Sequence, residues 1–299
     1  MQTSGVRERL DAGIEWSERA PLDGLNSLGL RATARLLATV ENEEGLVGFL
    51  RWAKKSAEEF VVLGGGTNVI PGEESLDLVI LRLNGEFGRF DLDGQGIAAG
   101  PSVPVGRLIQ EARKAGLSGL EGGYGIPGSL GGALVGNAGT PDWTIGGQVE
   151  WVEAFDRTGA RRRLAAAEIG FGYRRSTLAG QVIVRARLAL KPDSPTKIEE
   201  RIKRAQARRE RQPKGVRSAG CIFRNPPGDS AGRLIDAAGL KGLRRGGAVV
   251  SAEHANFIVN DGDANVKDVS ELIDEVRARV LEKFDIQMEM EVHILRSTK

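Results

Sequence analysis

Cysteine and histidine are scarce in this 299-residue sequence, which has one Cys and two His. A single cysteine excludes an internal disulfide framework and fits a reducing compartment. We predict no metal site. Aromatic residues make up only 5% of the chain, so the cores are expected to pack mainly through aliphatic side chains.

The sequence also lacks a large excess of charge of one sign, and it has no long apolar runs. Lys and Arg total 42 against 40 Asp and Glu, a net charge of +2 that gives no global attraction to nucleic acid or an anionic membrane. No stretch is long and apolar enough to span a bilayer. The segment from Met1 to Ala12 has no apolar signal core. We therefore expect a cytoplasmic protein that binds neither nucleic acid nor membrane, and its oligomeric state stays open.

Glycine, in contrast, is abundant, with 41 residues. One cluster follows a predicted strand at Phe60 to Leu63 and consists of Gly64, Gly65, Gly66, Thr67 and Asn68. Backbone N–H groups of such a cluster can converge on an anion without hindrance from Cβ atoms. From these residues alone, a phosphate site and a strained hairpin are about equally supported. No Walker A sequence follows this cluster or the next one.

A second glycine-dense segment runs from Gly116 to Gly139. Within it, Gly123 to Gly128 matches G-x-G-x-x-G, but a helical segment precedes it and Pro127 interrupts it, which excludes a Rossmann fingerprint. Its apolar residues argue against a flexible linker. The segment is typical of a loop that lies against a flat or charged ligand, with candidate contacts at Gly125, Ile126, Gly128, Ser129, Asn137, Ala138 and Gly139.

Hydrophobic periodicity and turn residues predict irregularly alternating helices and strands, which favours an α+β fold. Lys191 to Pro195 is the clearest break and predicts a domain boundary. The predicted helices are 42–55, 103–115, 196–211, 230–238 and 265–284. The predicted strands are 60–63, 78–83, 149–155, 182–190, 257–259 and 288–295, with an Arg-rich turn between the third and the fourth.

Six segments in order resemble one family, the UDP-N-acetylenolpyruvoylglucosamine reductases, in its shorter subtype. These segments are Leu63–Asn68, Gly119–Gly139, Phe171–Ser176, Gln212–Pro226, Ala231–Asn260 and Met290–Val292. The resemblance implies a two-lobed FAD-binding unit like that of vanillyl-alcohol-oxidase-like flavoproteins, followed by a separate α+β substrate-binding domain. The expected division is 1–85 for the first FAD lobe, 86–193 for the second and 194–299 for the substrate domain.

The resemblance also implies the reaction: NADPH reduces non-covalently bound FAD, and UDP-N-acetylglucosamine enolpyruvate is then reduced to UDP-N-acetylmuramate for peptidoglycan synthesis. Arg174, in Tyr-Arg-x-Ser, occupies the family position that stabilises negative charge beside the substrate carboxylate. From the residues alone, a surface arginine beside Arg175 is the alternative. Glu291 takes the family's acidic position, against the alternative of a strand carboxylate facing water.

Cys221 occupies the family's proton-donor position, which is usually a serine. A thiol is mostly protonated at neutral pH and is a better acid than a hydroxyl, although an inert buried cysteine is the alternative. His293 replaces the family's usual arginine near Glu291. Substrate contacts are expected from Tyr173, Asn225 and Lys214. His254 is expected to be structural rather than a base.

Other functions remain open from the sequence. An FAD-dependent sugar or alcohol oxidase could use the same scaffold, and a catalytically idle nucleotide-sugar binder would fit the substitutions at Cys221 and His293. A nucleic-acid-binding module built on the basic helix from Arg201 to Arg211 is disfavoured, because glutamates interrupt the charge and stacking aromatics are absent.

Overall fold

The computed structural model describes residues 13–210 and 212–298. These ranges contain six α-helices: α1 (Glu43–Lys55), α2 (Val105–Lys114), α3 (Leu130–Val135), α4 (Pro195–Arg209), α5 (Ala231–Ala237) and α6 (Val266–Phe284). The segment from Met1 to Ala12 that was predicted to lack a signal core, and Arg211 at the end of a predicted helix, lie outside the described residues.

Strands in the described ranges are numerous and mostly short. In chain order they are β1 (Ile14–Pro21), β2 (Thr33–Val40), β3 (Phe60–Val62), β4 (Val69–Pro71), β5 (Ser75–Leu83), β6 (Phe90–Asp93), β7 (Gly96–Ala99), β8 (Leu117–Ser118), β9 (Gly139–Thr140), β10 (Trp143–Thr144), β11 (Val149–Phe155), β12 (Arg161–Ala165), β13 (Phe171–Gly172), β14 (Arg175–Ser176), β15 (Val182–Ala189), β16 (Lys191–Pro192), β17 (Arg217–Cys221), β18 (Arg244–Arg245), β19 (Ala248–Val250), β20 (Phe257–Asn260) and β21 (His293–Leu295). Helices and mainly antiparallel strands occur together, so the predicted α+β class is confirmed.

Helices α1 and α6 begin where side-chain caps satisfy their first N–H groups. Asn42 accepts a hydrogen bond from the Gly45 N–H at 2.8 Å at the start of α1. Asn265 and Asp268 form a reciprocal capping box at the start of α6. Both helices were predicted from their apolar faces, α1 also from Asn42 as its N-cap, and both predictions are confirmed.

The chain divides into two compact units. Unit 1 comprises residues up to Glu18, Leu36–Gly65 and Val79–Arg208, whereas unit 2 comprises Arg19–Arg35, Gly66–Leu78 and the chain from Arg209 onward. The division into 1–85, 86–193 and 194–299 stays a prediction.

Unit 1 has two hydrophobic cores. One forms around α1, strand β3 and the residues of β2 and β5 that belong to unit 1, in a sheet whose strand order is β1-β2-β5-β3. There Trp16, Phe49, Trp52 and Phe60 pack with ring centroids 4.8 to 5.8 Å apart, so aromatics contribute more to this core than their overall scarcity suggested. The other core forms around α2, α3 and the five-stranded sheet β12-β11-β15-β7-β6.

Helix α4 packs within unit 1 through its apolar stripe and an ion-pair cluster. Ile198 and Ile202 are buried as predicted. Arg201 pairs with the buried carboxylate of Glu121 at 2.9 Å and also with Asp193. The stretch from Lys191 to Pro195 contains β16, which pairs with β8, and the first residue of α4.

Unit 2 is built around the sheet β17-β20-β19-β18. Val269, Leu272, Val276 and other apolar residues of α6 are buried in its core, together with residues of α5. Strand β4 pairs in parallel with β21, so that His293 lies opposite Val69. This pairing connects the end of the first glycine cluster to the C-terminal segment that contains Glu291.

Three sequence predictions need correction. The Arg-rich stretch predicted as a turn contains β12, because Arg161–Ala165 pairs with β11 at the edge of the sheet. The last strand is shorter than the predicted 288–295: residues before His293 form only an isolated bridge between Met290 and Phe223. The glycine-dense segment is not all loop, since it contains α3.

No helix among residues 13–210 and 212–298 is long and apolar enough to cross a membrane.

Candidate active site

The two predicted cofactor segments meet in unit 1. A Cβ atom added at Gly64 would lie 2.4 Å from Ser129 Oγ, and one added at Gly65 would lie 3.1 Å from Gly128 Cα. Both distances are shorter than ordinary van der Waals contact, so only glycine fits without a shift at these positions. The structure therefore brings Gly64 and Gly65 against Gly128 and Ser129, although the two segments lie far apart in the sequence.

Backbone hydrogen bonds fix the loop that contains Gly128 and Ser129. The Val105 N–H donates to Gly128 O at 3.0 Å, and the Leu130 N–H donates to Val103 O at 2.9 Å. Gly125 and Gly128 have φ angles of 76° and 100°, which glycine adopts without steric cost. The loop is therefore preorganised by the start of α2, as a ligand-binding surface should be.

Two buried hydroxyls in this region lack a partner. Ser129 Oγ and Thr140 Oγ1 have no hydrogen-bond partner among the described residues. A buried, unpaired hydroxyl is costly, which makes Ser129 Oγ, beside Gly64, a candidate contact for a bound ligand. The glycine cradle and this hydroxyl fit a phosphate-bearing cofactor such as FAD. No sequence pattern indicated Thr140.

Two further residues shape the loop and were not predicted as site residues. The Trp143 ring covers two glycines: Cβ atoms added at Gly122 and Gly123 would lie 2.4 and 2.7 Å from its carbons. Its Nε1–H donates to Gly119 O at 2.6 Å. The carboxylate of Glu121 accepts from the Gly119 N–H at 2.7 Å. The glycine-dense segment pointed to this region, but the pattern of its residues did not indicate these contacts.

Burial raises the pKa of Glu121, but hydrogen bonds from the Gly119 N–H and the Arg201 guanidinium more than offset this effect. The pKa therefore lies below its ordinary value. Glu121 is thus a structural anion that ties the loop to α4.

Asn137, Ala138 and Gly139 follow α3. The Asn137 side chain donates from Nδ2 to Gly172 O at 2.9 Å, and its Oδ1 accepts from the Gly146 N–H at 3.1 Å. The Ala138 N–H donates to Ala133 O at 2.8 Å. These bonds show what holds the segment in place, and direct cofactor contacts from it stay a prediction, as they do for Ile126.

Arg174 lies at the tip of the hairpin formed by β13 and β14, next to Tyr173. Its φ angle is 54°, a left-handed conformation that costs a non-glycine residue roughly 1 to 2 kcal/mol. The guanidinium lies 5.3 Å from the centre of the Tyr173 ring, which is 55% exposed. Arg19, Ala57, Asn137 and Asp285 share this left-handed conformation, and the catalytic role of Arg174 stays a prediction.

The remainder of the first glycine cluster belongs to unit 2. Gly66 has a φ angle of 66°, and an added Cβ would lie 2.0 Å from Leu25 O, so only glycine fits. Asn68 Nδ2 donates to Glu291 O at 3.2 Å. Thr67 lies between them and is half-buried.

Cys221 and Glu291 lie on adjacent backbone segments of unit 2. The Glu291 N–H donates to Ile222 O at 2.8 Å, and Ile222 directly follows Cys221. The register of β17 against β20 shifts between Ser218 and Cys221, and this irregularity ends at Cys221. Cys221 and Glu291 are both partly exposed, so the thiol is not enclosed in an apolar interior.

The predicted substrate contacts in unit 2 are both exposed. Asn225 Oδ1 accepts from the Ala231 N–H at 3.0 Å, at the start of α5. Lys214 lies in the loop before β17. Arg174 and Tyr173 belong to unit 1, and the substrate roles of all four residues stay predictions.

His254 has a structural environment. Its Nδ1 accepts from the Asn256 N–H at 3.3 Å, and its ring packs edge-on against Phe257. Burial lowers the pKa of His254, so the imidazole is neutral at physiological pH, in agreement with the structural role expected from sequence.

Comparison with known protein families gives two matches. Residues 34–165 match a family described as FAD binding domain. Residues 212–295 match the C-terminal domain of UDP-N-acetylenolpyruvoylglucosamine reductase. The first range contains Gly64 and Ser129, and the second contains Cys221 and Glu291.

Individual proteins resemble the chain over nearly its full length. A UDP-N-acetylenolpyruvoylglucosamine reductase of Thermus thermophilus is 45% identical over 277 residues, 92% of this chain and 98% of the relative. One of Moorella thermoacetica is 40% identical over 98% of both chains. The crystal structure of the enzyme from Thermus caldophilus aligns with a TM-score of 0.82 at 42% identity, covering 94% of this chain and 98% of that one.

Proposed function

Because the chain belongs to the UDP-N-acetylenolpyruvoylglucosamine reductase family, we propose that it reduces UDP-N-acetylglucosamine enolpyruvate to UDP-N-acetylmuramate with NADPH and non-covalently bound FAD. The observation that carries the proposal is the backbone pairing of Glu291 with Ile222. It brings together the backbone segments of the two predicted acidic groups, in the part of the chain that matches the reductase C-terminal domain.

The cofactor role rests on unit 1. Gly64, Gly65, Gly128 and Ser129 form a cradle that only glycine and small residues fit, within the range that matches an FAD-binding domain. Gly66, Thr67, Asn68, Gly125, Ile126, Asn137, Ala138 and Gly139 complete the proposed cofactor-binding set. Bound FAD would supply hydride chemistry, taking a hydride from NADPH and giving it to the enolpyruvyl double bond.

The chain's own residues would manage charge and protons. Hydride addition to the alkene leaves negative charge beside the substrate carboxylate, and the permanently charged guanidinium of Arg174 stabilises it. The thiol of Cys221 then donates a proton to the adjacent carbon, which completes the lactyl ether, and the thiolate regains a proton from water. Glu291 assists by polarising the ether or by helping to deliver that proton.

Substrate binding is assigned to exposed polar groups: Tyr173 beside Arg174, Asn225 at the start of α5, and the cation of Lys214, which suits a phosphate or carboxylate. The division into FAD lobes 1–85 and 86–193 and a substrate domain 194–299 belongs to the same proposal. So does a cytoplasmic location, since a single cysteine and no disulfide fit a reducing compartment.

Separate measurement of the two half-reactions tests these roles. Rapid mixing with NADPH reports flavin bleaching, and mixing the reduced enzyme with the enolpyruvyl substrate reports flavin reoxidation. We expect Cys221→Ala to keep bleaching but slow reoxidation by roughly 100-fold or more, within the range of general acid catalysis. Cys221→Ser should retain substantial turnover. Equal reoxidation rates in the two variants would exclude Cys221 as the proton donor.

Glu291 has a matched control on the same segment. Glu289 is exposed and lies 3.5 Å from Arg224. We expect Glu291→Gln to slow reoxidation while Glu289→Gln leaves both half-reactions within about twofold of wild type, a margin of roughly 0.4 kcal/mol. A loss of the same size in both variants would reject a specific role for Glu291.

A further inference from the structure

The orientation of Arg174 depends on a very short hairpin. Strands β13 and β14 contribute two residues each, with Phe171 opposite Ser176 and Gly172 opposite Arg175. So short a pair is not stable by itself. The left-handed backbone at Arg174 must therefore be held by contacts outside the hairpin.

Two side chains provide these contacts, one to each strand of the hairpin. Asn137 Nδ2 donates to Gly172 O at 2.9 Å, and Ser176 Oγ donates to Val135 O at 2.9 Å. Val135 is the last residue of α3, and Asn137 follows it by two positions. Both polar side chains are buried, Asn137 at 6% and Ser176 at 8% exposure, so water competes little for these bonds.

The Asn137 side chain is itself constrained. Its Oδ1 accepts from the Gly146 N–H at 3.1 Å, and a Cβ added at Gly146 would lie 2.7 Å from that oxygen and 2.6 Å from the Phe171 ring. The Asn137 φ angle is 43°, a region in which asparagine is favoured among non-glycine residues. Both ends of its amide are thus engaged with the protein backbone.

We infer that Asn137 and Ser176 are positioning residues that fix the Arg174 hairpin to the end of α3. This inference rests on the proposed function, in which Arg174 contacts the substrate carboxylate. Asn137 also belongs to the proposed cofactor-binding set, so it would serve the hairpin in addition, whereas Ser176 lies outside that set.

A double-mutant cycle with full-length FAD-loaded protein tests the inference. Loss of either anchor should slow flavin reoxidation by the enolpyruvyl substrate by about 10- to 100-fold, since displacing a catalytic group by about 1 Å can cost that much. For Ser176→Ala, which lies outside the proposed cofactor-binding set, bleaching by NADPH and the FAD dissociation constant should stay within about twofold of wild type. In an Arg174→Ala background, adding Asn137→Ala or Ser176→Ala should cost no more than about a further twofold, because the group they position is gone.

Two further variants serve as controls. Ser176→Thr keeps the hydroxyl and should recover most of the rate that Ser176→Ala loses. Thr158 lies in the exposed turn between β11 and β12, and its hydroxyl donates to Asp156 Oδ1 at 2.6 Å within that turn. Thr158→Ala should therefore leave reoxidation within about threefold of wild type.

The outcomes separate this inference from the proposed function. Additive losses in the Arg174→Ala background, or a tenfold weaker FAD affinity for Ser176→Ala, would overturn the positioning role while leaving the reductase activity intact. A wild-type enzyme whose reduced flavin is not reoxidised by the enolpyruvyl substrate would instead refute the proposed function.

Discussion

Replacing Glu121 with Gln tests whether a buried ion pair holds the cofactor loop. The Glu121 side chain is 7% exposed, pairs with Arg201 at 2.9 Å and accepts the Gly119 N–H at 2.7 Å. Glutamine keeps the shape and can still accept from Gly119. Its amide N–H donors then face the Arg201 guanidinium, which also carries only donors, so the attraction between the two side chains is lost.

The expected loss follows from the burial of the pair. Removing one partner of a buried ion pair costs about 3 to 5 kcal/mol. Arg201 is 37% exposed and keeps its contacts with Asp193 and Ser118, so it recovers part of this loss through water and these neighbours. We therefore expect a decrease of about 2 kcal/mol in the free energy of unfolding.

Urea unfolding followed by far-UV circular dichroism measures this loss. With a slope of about 2 kcal/mol per M, the midpoint should fall by about 1 M. The exposed pair of Glu111 and Lys114 supplies the control, because Glu111→Gln should shift the midpoint by less than about 0.25 M. Equal midpoints for wild type and Glu121→Gln would refute a stabilising role for this carboxylate.

The difference in the free energy of unfolding between wild type and Glu121→Gln should depend on pH. The pKa of Glu121 is lower in the folded state than its ordinary value, so the folded state favours the ionised carboxylate. This stabilisation is fully present above about pH 5, beyond the ordinary Glu pKa of about 4.3, and is lost as pH falls through the folded-state pKa. The gap in stability between wild type and Glu121→Gln should therefore shrink below about pH 4. A gap that widens there would contradict the assigned pKa direction.

Three further predictions concern the glycine segments. Gly66→Ala should lower the melting temperature by several degrees in differential scanning calorimetry, because the added Cβ would lie 2.0 Å from Leu25 O at a residue with positive φ. Gly88 has open space where a Cβ would be added, so Gly88→Ala should leave the melting temperature unchanged. Trp143→Ala should weaken FAD binding about tenfold in a fluorescence titration, equivalent to about 1.4 kcal/mol from lost loop packing, and unchanged affinity would reject its loop-shaping role. Ser129→Ala should weaken FAD binding about two- to tenfold without lowering the melting temperature, since the Ser129 hydroxyl has no partner among the described residues. A lower melting temperature with unchanged FAD affinity would mean that this hydroxyl stabilises the fold instead.

Local signals in the sequence predicted the parts of the fold that local physics determines. The apolar face of α6 and the Asn42 cap of α1 are examples. Strand β12 was not predicted because its arginines are exposed at a sheet edge and show no alternation of apolar residues. The last strand was predicted too long because alternation continues through Met288 to Val292, where long-range pairing is limited to one bridge.

In the candidate site, too, local sequence signals predicted some features and missed those that depend on long-range contacts. Glycine clusters and motif order indicated the cofactor segments, and Gly64 does lie against Ser129. The contacts of Glu121 with Arg201, of Asn137 with Gly172 and of Trp143 with Gly119 could not be predicted. The partners lie 80, 35 and 24 positions away and carry no pattern of their own. Such contacts form only when the chain folds, and they leave no regular spacing in the sequence.

The most direct test of the central claim is an anaerobic reoxidation measurement on the wild-type protein. The purified, FAD-loaded enzyme is bleached with one equivalent of NADPH and then mixed with UDP-N-acetylglucosamine enolpyruvate. We expect return of the yellow oxidised flavin and a product heavier than the substrate by two hydrogens. Flavin that stays reduced, with the enolpyruvyl substrate recovered unchanged, would contradict it.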